Sequence, residues 1–281
     1  MEIQLLAVPY DSGNRGVRMG AGPERLLDLG IQRALVADGH RVFAKIAELP
    51  DNAWHAEIES SFELMRMLAT EVASAKAQGR LPIVLAGNCN TSIGTVSGLD
   101  SDVAVAWFDA HADFNTPETT TSGFLDGTAV SILTGRCWKR LAASVGLNPV
   151  PDSQICLIGT RDIDPAEGEL LDGARIDVVA PAKARTELPR VLAQMGEHVD
   201  DAYVHLDLDV LDASVAAANS YAVGGGMTVE DVEHALSVIA RQFRIAAITL
   251  SAYDPSADAD GAAAAAAIRL VRSAARLAAH A

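Results

Sequence analysis

Short apolar runs recur along the chain, and each is continuous in hydrophobicity rather than alternating with polar residues. Runs of this kind are typical of strands that are buried on both faces, as in a parallel sheet. Helical patterns lie between most of them, so strand and helix alternate from end to end. This order predicts one α/β domain over residues 1–281, a three-layer α/β/α sandwich with a mostly parallel sheet. The predicted strands are residues 3–8, 81–86, 103–108, 154–159, 176–180, 202–207 and 245–250.

The helical patterns have recognisable ends. Residues 22–39 carry Pro23 at a plausible first helical position and end in a glycine. Residues 56–79 form a long amphipathic pattern that also ends in glycine. Two further helices are predicted for residues 228–242 and for the alanine-rich residues 260–281. No linker or internal boundary interrupts this series, which supports a single domain.

Composition and charge narrow the function. The chain has 281 residues and a formal net charge of −15, so a nucleic-acid backbone would be repelled. The three cysteines are few and odd in number, which favours a reducing compartment over a disulfide framework. The first residues lack the basic region of a signal peptide, and no apolar run has the length of a transmembrane helix. We therefore expect a cytoplasmic protein that binds neither nucleic acid nor membrane.

Acidic residues gather directly after the predicted strands. Ligands of a parallel sheet collect beyond the carboxyl ends of its strands. Four of the five loops that begin there contain aspartate, and carboxylates at one edge of a sheet repel each other unless a cation lies among them. A divalent metal centre would remove this repulsion. The loops are residues 87–92, 109–115, 160–167, 207–212 and 251–255.

Two motifs offer the metal ligands. Asp109, His111 and Asp113 form a D-x-H-x-D motif, and Asp207 and Asp209 form D-x-D. Alternate residues of an extended chain point to the same side, so each motif directs its side chains at one point. Four carboxylates and one imidazole are enough for two divalent ions that share bridging carboxylates. Oxygen-rich ligation with a single nitrogen favours Mn²⁺ over Zn²⁺.

Five segments, in the same order, resemble the arginase (ureohydrolase) family over nearly the whole chain. They are GVRMGAG, AGNCNTSIG, DAHADFNTPETTTSG, IGTRDIDPAE and LDLDVLD…VGGGMT. The third is similar to true arginases rather than to agmatinases or formiminoglutamases. The resemblance implies a homotrimer or homohexamer of α/β/α subunits that hydrolyses a C–N bond at a binuclear manganese centre.

The resemblance also implies a role for each metal ligand. Asp109 and Asp207 would bridge the two ions, Asp113 would complete one site, and His111 with Asp209 would complete the other. Asp113 would in addition accept and pass on the proton of the attacking water.

Neutral polar residues follow the first metal motif. In arginases the residues that match Asn115, Thr120 and Ser122 hold the α-carboxylate of an amino-acid substrate, and the residue that matches Asp164 holds its α-amine. Glu167, in the same loop as Asp164, is a further candidate for substrate binding. The alternative interpretation is that these threonine and serine residues only form turns.

Three residues depart from the family pattern, all on the reaction side. Cys89 stands where the family has its first metal-ligand histidine, Asp126 where it has a proton-shuttle histidine, and Ala252 where it has the glutamate that pairs with the guanidinium. A branch resembling the N-hydroxyarginine hydrolases of antibiotic biosynthesis also carries the cysteine. We therefore predict that Cys89 contacts a metal or the substrate, with a structural thiol as the alternative, and that Asp126 is catalytic.

The remaining cysteines and histidines carry less information. His205, two residues before Asp207, either supports a metal ligand or packs in the core. Cys137 and Cys156 are interpreted as small core residues. No role is predicted for His40, His55, His198, His234 and His280.

The predicted function is hydrolysis of N-hydroxy-L-arginine to hydroxyurea and L-ornithine. An N-hydroxyguanidine is much less basic than arginine, so it can bind as a neutral group. It therefore does not need the carboxylate partner that the family's glutamate supplies and that Ala252 does not. Two alternatives stay open. The substrate is a different amidine, such as L-arginine or a formimino compound, or the chain is a non-catalytic relative that keeps the fold.

Overall fold

A computed structural model describes residues 1–50, 56–99, 102–197 and 199–280; His55 and His198 lie outside the described residues. Eight strands form one sheet in the order β4-β1-β5-β10-β9-β6-β7-β8, and every neighbouring pair is parallel. The α/β prediction is thereby confirmed. The sheet contains β1 (Glu2–Val8), β4 (Arg41–Ile46), β5 (Leu81–Ala86), β6 (Ala104–Phe108), β7 (Ile155–Ile158), β8 (Asp177–Val179), β9 (Asp201–Asp207) and β10 (Arg244–Ser251), while β2 (Tyr10–Asp11) and β3 (Asn14–Arg15) form an antiparallel ribbon.

Helices cover both faces of the sheet and bury a separate apolar core on each. One core packs the sheet against α1, α2, α8, α9 and α10. The other packs it against α3, α4, α5 and α6, with α7 at its margin. The helices are α1 (Gly22–Asp28), α2 (Ile31–Ala37), α3 (Glu57–Ala77), α4 (Ser92–Leu99), α5 (Ala129–Leu133), α6 (Lys139–Val145), α7 (Pro165–Asp172), α8 (Ala184–Met195), α9 (Val229–Gln242) and α10 (Ala262–His280).

The structure corrects the sequence prediction at two places. The edge strand β4 was not predicted, because its side chains are half-buried or exposed and it lacks a continuous apolar run. The helix predicted over residues 22–39 is two helices, since Gly30 adopts a left-handed conformation with φ of 91° and interrupts the helical backbone. Among the described residues, no helix is both long enough and apolar enough to cross a membrane.

The central strands place all the candidate loops at one edge of the sheet. β5, β10, β9, β6 and β7 are consecutive in the sheet, and parallel strands end at the same edge. β6 follows β5 in sequence, yet β10 and β9 lie between them. Such a change in strand order opens a crevice beyond the carboxyl ends, where ligands of α/β sheets bind.

Candidate metal and substrate site

A cavity of about 270 Å³ lies in this crevice. Each loop that follows a central strand contributes to its wall, so the sequence-predicted residues meet in one place. All of them line it: Cys89, Asp109, His111, Asp113, Asn115, Thr120, Ser122, Asp126, Asp164, Glu167, Asp207 and Asp209. Residue Ala252, one of the family departures, also lines the cavity.

Two overlapping groups of side chains in this cavity can hold metal ions. The ligand atoms of Cys89, Asp109 and Asp207 lie within 4.8 Å of one another, and so do those of Asp109, His111 and Asp209. Asp109 belongs to both groups, as expected of a bridging carboxylate. Asp207 belongs only to the first group, so its predicted bridging role stays a prediction.

Backbone hydrogen bonds fix the acidic side chains before any ligand arrives. Asp109 Oδ1 accepts from the backbone N–H of His111 at 2.7 Å, and Asp207 Oδ1 accepts from that of Asp209 at 2.8 Å. Asp209 Oδ1 accepts from the backbone N–H of Ala110 at 3.1 Å, which ties the loop after β9 to the loop after β6. The second oxygen of each carboxylate accepts a hydrogen bond from a side chain.

The electrostatics of the cluster favour a bound cation. Burial and the charge of Asp209 raise the pKa of Asp109 to about 6. Burial alone would lower the pKa of His111, but the hydrogen bond to Asp109 at 3.3 Å and the surrounding carboxylates raise it to about 9. A site that raises the pKa of its acids and of its imidazole together is one that is short of positive charge.

The same shortage acts on the deeper residues. Burial, followed by neighbouring carboxylates, raises the pKa of Asp207 and of Asp113. Burial and the charge of Asp207 raise the pKa of the Cys89 thiol. Since carboxylate oxygen, imidazole nitrogen and sulfur are all metal donors, this donor set fits divalent ions.

Asp113 has a strained backbone and an unsatisfied oxygen. Its φ is 49°, in the left-handed region that non-glycine residues rarely adopt. Its Oδ2 is buried and has no hydrogen-bond partner among the described residues. A buried acceptor without a donor costs free energy, and such strain collects at functional sites. Both features are consistent with a carboxylate that binds a metal ion or accepts a proton.

Cys89 ends a chain of buried hydrogen bonds. Its Sγ donates to Asp207 Oδ2 at 2.9 Å and lies 3.2 Å from Ser251 Oγ. Ser251 Oγ lies 3.1 Å from His205 Nε2, and His205 Nδ1 lies 2.9 Å from the hydroxyl of Tyr203. His205 is fully buried, and burial lowers its pKa to about 3. The ring is therefore neutral.

Trp107 links the same histidine to the metal cluster. Its indole ring stacks on His205 with the ring centroids 3.7 Å apart. Its Nε1 donates to Asp109 Oδ2 at 3.1 Å. The stacked pair of Trp107 and His205 thus supports two predicted metal ligands, Asp109 directly and Cys89 through Ser251.

Asp126 lines the cavity but is already engaged on both oxygens. Oδ1 accepts from the backbone N–H of Asn90 at 2.8 Å, and Oδ2 accepts from the side chain of Asn88 at 3.0 Å. Burial and neighbouring carboxylates raise its pKa to about 7, against the effect of these hydrogen bonds. Asp126 therefore braces the loop that carries Cys89, in addition to any catalytic role.

Asn115 lines the same cavity, beside the start of α7. Its Nδ2 donates to Asp164 Oδ2 at 3.2 Å, and its Oδ1 accepts from Thr119 Oγ1 at 2.9 Å. These contacts orient the amide and leave one of its two N–H groups free to donate.

Thr120 and Ser122 form turns and remain half-buried or exposed. Thr120 Oγ1 accepts from the backbone N–H of Gly123 at 3.1 Å, and Ser122 Oγ accepts from that of Phe124 at 3.1 Å. These hydrogen bonds show that both residues form turns, and they leave open whether the residues also bind a ligand. The two hydroxyl oxygens also lie 3.4 Å apart, so one hydroxyl donates to the other and the other keeps its proton for a ligand.

Glu167 holds two loops together. Its Oε1 accepts from the backbone N–H of Phe114 at 2.7 Å, and its Oε2 accepts from that of Asp164 at 3.2 Å. Both oxygens of this buried carboxylate are thus engaged by the protein. Glu167 lines the cavity, but its first role is to fix the loop after β6 against the start of α7.

Sequence reasoning missed Asn219 and Arg161. Asn219 Nδ2 donates to the carbonyl oxygen of Ala252 at 2.8 Å and to Asp209 Oδ2 at 3.3 Å. The guanidinium of Arg161 joins the loop after β7 to the loop after β9 through backbone carbonyls. A cation directly after a strand, among four acidic loops, was the available signal for Arg161. Its acceptors are the carbonyls of Gly159, Asp209, Val210, Leu211, Val223 and Gly224.

An aromatic pair at the cavity was also missed. Phe124 and Tyr221 stack with their ring centroids 5.9 Å apart, and both line the cavity. They come from loops about 100 residues apart in sequence, so only the fold brings them together.

Comparison with known proteins agrees with this geometry. The model of the arginase family matches residues 1–276. An arginase of Brucella melitensis biotype 1 is 30% identical over 97% of this chain and 95% of its own length. The crystal structure of arginase from Bacillus cereus superposes with a TM-score of 0.88 at 25% identity, covering 98% of both chains. The formimidoylglutamase of Bacillus subtilis has a TM-score of 0.77 at 18% identity, over 98% of this chain and 86% of that one.

The match therefore covers almost the whole chain, and the family's predicted sites fall in one cavity at the carboxyl edge of the sheet. The chain belongs to the arginase family and is a metal-dependent amidinohydrolase.

Proposed function

We propose that this protein hydrolyses N-hydroxy-L-arginine to hydroxyurea and L-ornithine with two Mn²⁺ ions. Cys89, Asp109 and Asp207 would hold one ion together with Asp113, and Asp109, His111 and Asp209 would hold the other. When bound, the ions supply an acidified water as the nucleophile. The single-nitrogen, oxygen-rich donor set supports Mn²⁺, while the sulfur of Cys89 widens the choice of metal.

Two acidic residues of the protein would accept the proton of the attacking water and pass a proton to the leaving group. Asp113 would accept a proton from the attacking water, and its buried oxygen that no described protein group satisfies supports this role. Burial and the neighbouring carboxylates raise its pKa, and a higher pKa makes a carboxylate a better proton acceptor. Asp126, with a pKa of about 7, is the second candidate for passing a proton to the leaving group.

The amino-acid end of the substrate would bind at the part of the cavity wall that contains Asn115, Thr120 and Ser122. The free N–H of Asn115 and one of the hydroxyl protons of Thr120 and Ser122 provide donors for an α-carboxylate. Asp164, exposed at the start of α7 and hydrogen-bonded to Asn115, would hold the α-amine. Neutral donors suit an anion that enters a cavity already rich in carboxylates.

One observation carries the choice of an N-hydroxyguanidine over arginine: the residue at the position of the family's glutamate has no carboxylate to pair with a guanidinium. Ala252 occupies that position, and its carbonyl already accepts from Asn219. Asp126 already accepts two hydrogen bonds. Because arginine stays protonated, its buried cation would cost on the order of several kcal/mol without a partner. An N-hydroxyguanidine can enter as a neutral group.

Three single-substrate incubations of the Mn²⁺-loaded protein test this proposal. N-hydroxy-L-arginine should give L-ornithine and hydroxyurea in equal amounts. L-Arginine should give L-ornithine and urea more slowly, and N-formimino-L-glutamate should give no L-glutamate. The proposal would be contradicted if L-glutamate were released faster than L-ornithine. It would also be contradicted if protein that holds two ions per chain turned over none of the three compounds.

A further inference from the structure

The contact between Cys89 and Ser251 has a definite hydrogen-bond direction. A thiol has one proton, and Cys89 Sγ donates it to Asp207 Oδ2 at 2.9 Å. Ser251 Oγ, 3.2 Å from the sulfur, must then be the donor in their contact. Its own proton is thereby used, so Ser251 can only accept from His205 Nε2 at 3.1 Å.

This direction fixes the histidine as well. A neutral imidazole carries one N–H and one acceptor nitrogen. With the proton on Nε2, Nδ1 of His205 accepts from the hydroxyl of Tyr203 at 2.9 Å. The donors therefore run one way, from Tyr203 through His205 and Ser251 to the sulfur of Cys89. All of these residues except the ligand itself lie beneath the cavity, and all are buried.

We propose that Ser251 and His205 are positioning residues that hold Cys89 as a metal ligand and tune its sulfur. The inference rests on the proposed role of Cys89 as a ligand. Binding of a metal takes the place of the thiol proton, but the hydrogen bond from Ser251 remains. That hydrogen bond fixes the side-chain rotamer and withdraws electron density from a sulfur that would otherwise donate strongly to the metal. Partners of metal ligands typically contribute about 10–100-fold in metal affinity.

The packing around His205 explains why this series of hydrogen bonds keeps its direction. The ring is clamped by the indole of Trp107 at 3.7 Å, so it cannot rotate without breaking this stack. Trp107 in turn donates to Asp109, the residue shared by both ligand groups. Cys89 and Asp109 are thus oriented from below by one rigid unit.

Absorption spectroscopy of Co²⁺-loaded protein tests the inference. A thiolate bound to Co²⁺ gives a sulfur-to-metal charge-transfer band, and a hydrogen bond to the sulfur raises the energy of that band. Ser251→Ala should therefore shift the band to longer wavelength and raise the Co²⁺ dissociation constant about 10-fold. His205→Phe keeps a ring against Trp107 and removes both nitrogens, so it should shift the band in the same direction by less. Ser92→Ala is the matched control, since Ser92 Oγ is buried without a hydrogen-bond partner among the described residues.

The possible results separate the two proposals. A wild-type protein that binds Co²⁺ without a charge-transfer band would show that Cys89 is not a ligand, which overturns both. A wild-type band that Ser251→Ala and His205→Phe leave unchanged would overturn the positioning role and leave the ligand proposal intact. If Ser251→Ala does not fold, the band of His205→Phe decides the question.

Discussion

The two ends of the cavity are built on different principles. At the metal end, Cys89, Asp109 and Asp207 are at most 4% exposed, and hydrogen bonds from rigid strand ends hold them. At the amino-acid end, Thr120 and Ser122 lie on a surface loop and bind mainly their own turn. In the proposed function, the metal end would determine the chemistry, and the amino-acid end would determine which molecules remain bound long enough to react.

The departures from the family pattern follow the same division. Cys89, Asp126 and Ala252 all lie at the metal end, whereas the neutral strip of Asn115, Thr120 and Ser122 agrees with the family pattern. In the proposed function, a change confined to one end would alter the reacting group of the substrate and preserve its amino-acid part. This division is the physical basis for expecting a modified guanidine on an ordinary α-amino acid.

The largest effect is expected from Asp109→Ala, which tests whether the metal end acts as one unit. Because Asp109 belongs to both ligand groups, both ions should be lost together and kcat/KM should fall by more than about 100-fold. Metal content per chain and turnover are the measurements. Asp172→Ala removes an exposed carboxylate of α7 and should change neither. If Asp109→Ala kept two tightly bound ions, the shared-ligand interpretation would be wrong.

Ser122→Ala tests whether the neutral strip binds the carboxylate. A hydrogen bond to a charged group contributes about 1.5–3 kcal/mol, so KM for N-hydroxy-L-arginine should rise about 10- to 100-fold with little change in kcat. The corresponding amine that lacks the carboxylate serves as the control substrate, and its KM should not change. An equal loss on both substrates would mean that Ser122 only shapes its turn.

Ala252→Glu tests the missing carboxylate. The new side chain should pair with a guanidinium and raise kcat/KM for L-arginine about 10-fold, since each 1.4 kcal/mol, roughly, is one decade. The value for N-hydroxy-L-arginine should stay level or fall. No improvement with L-arginine would indicate that another residue governs the choice.

Glu167→Gln should have the smallest effect, on stability rather than on chemistry. The amide keeps one acceptor oxygen, so one of the two backbone N–H groups that Glu167 satisfies loses its partner. We expect the free energy of unfolding to fall by about 1–3 kcal/mol, measured by urea denaturation of the metal-loaded protein. A larger loss of kcat/KM than of stability would instead assign Glu167 to substrate binding.

The sequence was sufficient for the central strands and for most of the acidic residues of the cavity, because both depend on local signals. Continuous apolar runs located the buried strands, and acidic residues after those strands located the cavity wall. The edge strand β4 was not predicted, because its side chains are not buried on both faces and it lacks a continuous apolar run. The split between α1 and α2 depends on the backbone conformation of the single residue Gly30.

The contacts beneath and across the cavity could not be predicted. Ser251 and His205 reach Cys89 from strands that are distant in sequence, and the direction of their hydrogen bonds depends on distances. The aromatic pair of Phe124 and Tyr221 likewise needs two loops to meet in space. Local patterns identify candidate residues, while the orientation of those residues is a property of the packed structure.

The most direct test of the central claim is competition between the two substrates in one vessel. The Mn²⁺-loaded protein is given equal concentrations of N-hydroxy-L-arginine and L-arginine, and early hydroxyurea and urea are quantified, since their ratio equals the ratio of the two kcat/KM values. An unpaired guanidinium that costs several kcal/mol predicts at least about 10 times more hydroxyurea than urea. Equal amounts, or more urea than hydroxyurea, would contradict the account.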